Sequence, residues 1–411
     1  MVIGHWSLVI SHSSLAKAMS APVVHIGLEV ALEKPPVVLR DARFGLLMNQ
    51  ASLDRHLRYA CDLLAGRFPR QLAAIFAPQH GLWCEEQDNM IETHHGRHER
   101  LGIPVHSLYS ETRRPTPEML HGLECLVVDL QDVGTRVYTF AWTLSYCLEA
   151  CARARLPVVV LDRPNPLGGV ICEGPLLQPG YASLVGRASI PMRHGLTLGE
   201  LAELLNEELS IGAELHVVAM EGWRRQMLFP ETGRRWVPPS PNLPSFHSAL
   251  VYPGQVLIEG TRLSEGRGTT TPFEVVGAPF IDSDALLDLL REYSLPGLKT
   301  RAFRFRPTFN KWQEQRCRGL ALHAVNPQTA RSYLATVAII ACIRTLYPDD
   351  FQWLDPPYEY ENERMPIDIL SGSSELRRNL EAGRTSPEDV ERLAQVDETS
   401  WQCRSSVYWK Y

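Results

Sequence analysis

No stretch of the 411 residues reaches 18 consecutive apolar side chains, so the chain offers no candidate transmembrane helix and no membrane partner is expected. A basic stripe is missing too: the formal charge is −6 with Lys and Arg dispersed, which excludes a protein that tracks a phosphate backbone and with it a nucleic-acid partner. The nine cysteines include no Cys-x-x-Cys pair. Cys125, Cys147, Cys151 and Cys342 fall inside apolar runs, where a thiol packs as a small hydrophobe, so reduced thiols and a cytoplasmic location are expected. Neither G-x-G-x-x-G after a first strand nor G-x-x-x-x-G-K-[ST] occurs, and a nucleotide reading therefore lacks its phosphate cradle. Ser264 has no G-x-S-x-G context, which argues against a serine hydrolase. Internal repeats and low-complexity tracts are absent as well.

What remains is ordinary globular composition, 45 % hydrophobic and 21 % charged, in a chain long enough for two domains. Residues 1–22 are expected to form an unstructured or atypical extension. Lys17 follows the apolar part instead of preceding it, and His5, Trp6, Ser7 and His12 interrupt what would be the core of a secretory signal. Nothing periodic begins before Val23, and Met19 is an alternative start to Met1.

The organising stretch is Cys125 to Tyr138. It opens as an apolar β-branched run, the pattern of a strand covered on both faces, and breaks into Gln131, Asp132, Gly134 and Arg136 where the strand should end. Tyr138 to Leu156 follows with Leu144, Cys147, Leu148 and Cys151 at helical spacing, and Pro157 to Leu161 is strand again. Strand, helix, strand in that order predicts parallel pairing with a right-handed crossover. Arg43 to Asn49, Leu72 to Ala77 and Ile103 to Tyr109 read as further strands, Asp54 to Ala65 as a helix, and Glu214 to Met220 as a strand. Thr197 to Leu209 is an amphipathic helix with Thr197 and Glu200 in capping-box spacing. The segment 83–102 has no period and reads as a long loop of the kind that covers binding sites. Pro238 to Pro244 is Pro-rich and extended, and the passage to a second domain is placed there. The second part holds strands between Thr300 and Ala324, a helix from Ala330 to Leu346, and helical turns at 374–383 and 387–395. The fold class is thus α/β: a mostly parallel sheet flanked by helices, with a second, smaller α+β domain.

In an open parallel sheet the strand carboxyl ends share one edge, so Asn49, Gln79-His80, Gln131-Asp132 and Asp162-Arg163 should converge there. Asp132, Asp162, Glu173, Glu259 and Glu265 lie in expected loops beside Gly or Pro. Paired carboxylates of that kind suit glycoside hydrolysis, which needs one proton donor and one base or nucleophile about a single bond. The plain alternative for each is a structural ion pair, such as Asp132 with Arg136 or Glu265 with Arg267. Gly266-Arg-Gly-Thr-Thr270 reads either as a turn or as a mobile loop able to hold an anion, which would suit a transferase with a phosphorylated donor. His94, His95 and His98 with Glu92 lack the fixed spacing of a metal site and are taken as solvated.

Ordered motifs then point further. Pro78-Gln-His-Gly81, Asp129-Leu-Gln-Asp-Val-Gly-Thr-Arg-Val-Tyr138, Leu161-Asp-Arg-Pro-Asn-Pro166, Glu173-Gly-Pro, Pro239-Ser-Pro-Asn242, Glu259-Gly-Thr and Ser264-Glu-Gly-Arg-Gly-Thr-Thr270 resemble the NamZ-type exo-β-N-acetylmuramidases, over roughly residues 25 to 411. Many members of that family carry only a domain-of-unknown-function label. The resemblance implies a Rossmann-like domain over 23–240, a C-terminal domain over 241–411 and an active-site cleft between them. It implies removal of terminal N-acetylmuramic acid from peptidoglycan fragments, a small-molecule sugar or muropeptide substrate, and no metal or other cofactor. Where the family has Pro-Glu-His-Gly with the glutamate proposed as catalytic, this chain has Gln79, and a carboxamide has no titratable proton to give. Trp83 and Cys84 also replace a usual basic residue and glycine. The acid is then supplied from elsewhere, with Glu85 or Glu86 nearest on the loop, or the chemistry has changed, or the protein binds sugar without cutting it.

The expected catalytic carboxylates are Asp132, Glu265 and one of Glu85 or Glu86. Arg136, Arg163 and Arg267 are expected to hold the lactyl carboxylate. Asn49, Gln79, His80, Gln131, Tyr138, Asp162, Asn165, Glu173, Asn242, Glu259 and Thr269 complete the expected sugar contacts.

Overall fold

The structure, a computed structural model, describes residues 23–88 and 90–411; the expected extension 1–22 lies outside them. The first half alternates helix and strand: α1 (Gly27–Glu33), β1 (Phe44–Met48), α2 (Ala60–Arg67), β2 (Leu72–Ala77), β3 (Gly96–Arg97), β4 (Pro104–Ser107), α3 (Pro117–Leu120), β5 (Cys125–Asp129), α4 (Phe140–Ala154), β6 (Val158–Leu161), α5 (Leu198–Glu208) and β7 (Leu215–Val218). These strands form one sheet in the order β3-β4-β2-β1-β5-β6-β7, parallel except where β3 lies antiparallel to β4. Counting only the parallel strands, the order is third, second, first, fourth, fifth, sixth. That is the Rossmann arrangement, and its strand order reverses between β1 and β5.

The continuous apolar runs are needed because both faces are covered. Leu46, Met48, Cys125, Val127, Val159 and Leu161 point to the side packed by α1 and α2, whereas Leu47, Leu126, Val128, Val158 and Val160 point to the side of α4 and α5. The second cluster runs on without a break into the second half of the chain, so one core serves both. The Thr197 capping box forms as expected, with Thr197 Oγ1 accepting from Glu200 N at 3.2 Å and Glu200 Oε2 accepting from Thr197 N at 3.0 Å. Helix α2 begins later than its periodicity suggests. The Asp54 carboxylate accepts the amides of His56 and Arg58 and holds the preceding residues in a turn.

The second half contains α6 (Phe246–Gln255), β8 (Val275–Ala278), α7 (Ser283–Leu290), β9 (Leu298–Phe305), β10 (Cys317–Ala324), α8 (Ser332–Leu346), α9 (Pro366–Ser371), α10 (Glu375–Glu381), α11 (Pro387–Ala394) and α12 (Glu398–Ser405). Its sheet is antiparallel, β8-β10-β9. Helix α8 is buried over most of its length, and α6 approaches it so closely that a Cβ on Gly254 would fall 1.9 Å from the Ser332 carbonyl oxygen. Among the described residues no helix is long and apolar enough to cross a membrane.

Candidate active site

Segments from both halves close around a hollow of about 470 Å³, its solvent-open part included. Gln79 and His80 enter it from the turn after β2, Tyr138 and Thr139 from the end of the loop after β5, and Asn242 from the Pro-rich stretch. Glu259, Arg267, Tyr358 and Glu359 face them from the second half.

The turn after β2 is tight. Gly81 N donates to the Pro78 carbonyl at 3.1 Å, and His80 takes a φ of 70°, a left-handed conformation that non-glycine residues hold only when their surroundings enforce it. Its Nδ1 lies 2.8 Å from the Glu86 carbonyl oxygen, which can only accept, so Nδ1 carries the proton and Nε2 keeps the lone pair. Burial holds His80 at about 4, and the ring is neutral at physiological pH. Beside it Gln79 is fixed at both ends of its amide: Thr139 Oγ1 donates to Oε1 at 2.7 Å, and Nε2 donates to Glu359 Oε1 at 3.2 Å.

Two carboxyl groups face this hollow in opposed surroundings. Glu259 is buried, which by itself favours the neutral acid, but the Arg267 guanidinium outweighs that cost and holds the group below the ordinary carboxylate range. Arg267 Nη2 donates to Glu259 Oε1 at 2.6 Å, and the Tyr358 hydroxyl donates to Oε2 at 2.6 Å. For Glu359, burial dominates and raises its pKa. The hydroxyl of Tyr109 donates to its Oε2 at 2.8 Å and, with the Gln79 amide, offsets part of that rise. Behind Glu259 the charges continue: Arg267 Nε is 3.3 Å from Glu265 Oε1, and Lys311 Nζ is 2.7 Å from Glu265 Oε2.

Of the expected site residues, Gln79, His80, Tyr138, Asn242, Glu259 and Arg267 line this hollow. The others are placed outside its lining. Glu85 is exposed, and Glu86 reaches the site only through its backbone carbonyl on His80. Asp132 lies buried, one oxygen accepting from Gly134 N at 2.6 Å, and burial raises it to about 7. Glu265 reaches the site only through Arg267.

Asn49 pins the Pro-rich stretch, its Nδ2 donating to the Pro239 carbonyl at 2.7 Å. Gln131 donates to the carbonyls of Asp132 and Pro164. Arg136 spends its guanidinium on the carbonyls of Pro175, Ile190 and Leu370, and Arg163 forms a two-pronged pair with Asp129 at 2.6 and 2.7 Å. Asp162 caps α5 through Gly199 N and the Thr197 hydroxyl. Asn165 braces its own loop, accepting from Leu167 N and donating to the Leu196 carbonyl. Glu173 pairs with Arg193 at 3.1 Å.

The glycine loop is packed and not an open anion cradle. Thr308 N donates to the Gly268 carbonyl at 2.9 Å, a Cβ on Gly268 would meet the Phe309 backbone at 2.7 Å, and the Thr269 hydroxyl turns back to the Gly266 carbonyl at 2.6 Å.

The convergence therefore takes the tip of β2 alone: β5 contributes Tyr138 and Thr139 from the far end of its loop and not Gln131 or Asp132, β1 acts through the Pro-rich stretch, and β6 holds the fold. Sequence reading missed Glu359, Tyr109, Thr139 and Tyr358. No turn residue marks Glu359 in the sequence: it lies in Tyr358-Glu-Tyr-Glu361, where Tyr358 and Glu361 exchange backbone hydrogen bonds at 2.9 Å and the two residues between them have φ of 45° and 66°. Positive φ at both central residues is the pattern of a type I′ turn, which favours Asn and Gly. Glu and Tyr in those places conceal it.

A second cluster, Cys61, Asp62 and His98, brings its ligand atoms within 4.8 Å of one another. Asp62 is paired with Arg100, and burial pushes the Cys61 thiol up to about 11, so this group is a poor metal ligand set. His95 pairs instead with Glu111 at 2.8 Å.

The models of the Exo-beta-N-acetylmuramidase NamZ family match this chain in two parts, the N-terminal model over residues 44–247 and the C-terminal model over 250–411. The chain is 42 % identical over 380 residues to the peptidoglycan beta-N-acetylmuramidase NamZ of Bacillus subtilis (strain 168), covering 92 % of this chain and 89 % of that one. It is also similar to crystal structures of two DUF1343 family proteins from Bacteroides fragilis NCTC 9343. One is 33 % identical with a TM-score of 0.84, the other 27 % identical with a TM-score of 0.71, and each comparison covers 94 % of this chain and 99 % of the other.

Proposed function

The chain belongs to the Exo-beta-N-acetylmuramidase NamZ family, and from that premise we propose that it is an exo-acting glycosidase that removes terminal N-acetylmuramic acid, or a closely related amino sugar, from peptidoglycan fragments. The observation that carries the reading is the pair Glu259 and Glu359, facing one hollow with one carboxyl pushed down and the other up. Glycoside hydrolysis needs one carboxyl that keeps its proton and one that has lost it. The active site is the cleft between residues 23–240 and 241–411. Of the three arginines expected to hold a lactyl carboxylate, Arg267 alone lines the hollow. His80 Nε2 and the Asn242 side chain are the natural hydroxyl and acetamido contacts. Nine free thiols, eight of them buried, fit a reducing compartment and a cytoplasmic place of work.

Release of a chromogenic aglycone from the β-glycoside of N-acetylmuramic acid tests the proposal, with the N-acetylglucosamine glycoside as control. Turnover of the first and little of the second is expected. Gln79 favours one rival, a sugar-binding protein without catalysis. No release, together with a rise in melting temperature on adding N-acetylmuramic acid, would decide for that rival.

A further inference from the structure

Resting on the glycosidase reading of this hollow, we propose that Glu359 is the proton donor to the leaving group in place of position 79, and that Gln79 and Tyr109 are the positioning residues that orient it. The departing sugar oxygen must be protonated as its bond to the anomeric carbon breaks, and the Gln79 carboxamide has no proton to give. The two carboxyl groups in the lining are the remaining candidates. Glu259 is held as a carboxylate by Arg267 and the Tyr358 hydroxyl. Glu359 forms no ion pair among the described residues; its two hydrogen-bond donors, an amide and a phenol, are both neutral. Burial then leaves it the group that keeps its proton longest.

Its position is built with care. The turn that carries Glu359 holds two non-glycine residues at positive φ, a conformation found where the surroundings over-determine the backbone. The Arg113 guanidinium lies 4.4 Å from the Tyr109 ring centroid and 4.2 Å from that of Tyr360, which ties the turn to the loop after β4. Gln79, itself held by Thr139, ties the same carboxyl to the end of β2. The charged and titratable groups around Glu359 are Glu259, Arg267 and the neutral His80 across the hollow, Tyr109, and Tyr252 and Tyr358 beside it. On its other side it borders a second hollow lined by Glu92, Glu111, Arg113, Tyr360 and Glu361.

In the reaction the Glu359 proton passes to the glycosidic oxygen while the bond from that oxygen to the anomeric carbon breaks, and the alcohol leaves neutral. Water then supplies the oxygen that bonds to the anomeric carbon. The proton it releases returns the carboxyl groups of the hollow to their starting charge, so one water is consumed and none of the protein's groups is changed overall.

A leaving-group comparison on the full chain tests this. The disaccharide with N-acetylmuramic acid linked to N-acetylglucosamine needs its leaving oxygen protonated, whereas a dinitrophenyl glycoside does not. Glu359→Gln should lower kcat/KM on the disaccharide by about 10²–10³-fold, within the range for a lost general acid, and on the dinitrophenyl substrate by less than about tenfold. Equal losses on both substrates, or no loss on either, overturn the assignment while leaving the glycosidase reading intact. A wild-type chain inactive on both sinks the reading and the assignment together. If Glu359→Gln does not fold, Tyr109→Phe answers the same question, because removing a donor to the ionised form should move the basic limb of the disaccharide pH profile up by about half a unit to one unit. An unmoved limb counts against Glu359.

Discussion

Asp162 at the end of β6 and Glu359 in the turn after Pro357 are both buried carboxyl groups that burial pushes above the ordinary range, Asp162 to about 6. Their surroundings are otherwise opposite. Asp162 accepts from the Thr197 hydroxyl, the Tyr411 hydroxyl, Gly199 N and Arg163 N, so the fold uses all its capacity. Glu359 accepts one hydrogen bond on each oxygen and borders the hollow. A raised pKa thus fails to separate a structural carboxyl from a chemical one; capacity left facing a cavity does. The arginines teach the same lesson. Arg163 with Asp129 and Arg267 with Glu259 are both buried pairs, but Arg267 alone of the two arginines borders this hollow.

The comparison breaks most visibly at Glu259. Glu259→Gln keeps an acceptor for Tyr358 and removes the negative charge, and a fall of about 10³-fold in kcat/KM with a cooperative thermal transition is expected. Activity within threefold of wild type would return Glu259 to a structural role.

Asp132 tests the structural side. It titrates near 7 in the folded chain against 3.8 for an ordinary aspartate, so the folded state binds its proton more tightly than the unfolded one. Its contribution to stability is full below about pH 4 and is lost as pH rises through about 7, a loss on the order of 4 kcal/mol. Asp132→Asn should therefore gain on wild type by up to about that amount between pH 4 and pH 8 in denaturant titrations. A difference that does not change with pH, joined to a tenfold loss of turnover, would place Asp132 in the chemistry after all.

Asp162→Ala should cost about 3 kcal/mol, because the donors it served are left buried and unpaired, while turnover per folded molecule stays within a factor of two. The smallest effect sharpens the comparison most. Gln79→Glu sets a second carboxyl within hydrogen-bond reach of Glu359, like charges resist double ionisation, and the basic limb of the rate profile should rise by about one unit. No movement of that limb would mean that position 79 and Glu359 do not share a proton.

Much of the parallel sheet was legible because continuous apolar runs such as Leu126 to Val128 and Val158 to Val160 demand cover on two faces, and the Thr197 cap is local chemistry. The fate of the polar strand tips was not. Asn49, Asp162, Arg163 and Asn165 look in sequence much like Gln79 and His80, and what separates them is the partner each meets across the fold. Glu359 was hidden for the same reason: it is 280 residues from Gln79 along the chain.

By itself the sequence determined the alternation of strands and helices, the parallel pairing, the cap on α5 and the missing acid at position 79, since each depends on side chains a few residues apart. The tertiary structure decided which polar groups are consumed by the fold and which are left facing the hollow. Hydrogen-bond capacity and desolvation are set by whatever packs against a group: the Glu359 carboxyl that meets Gln79 lies 280 residues away, and at Glu259 the nearby Arg267 is joined by Tyr358 from 99 residues along the chain.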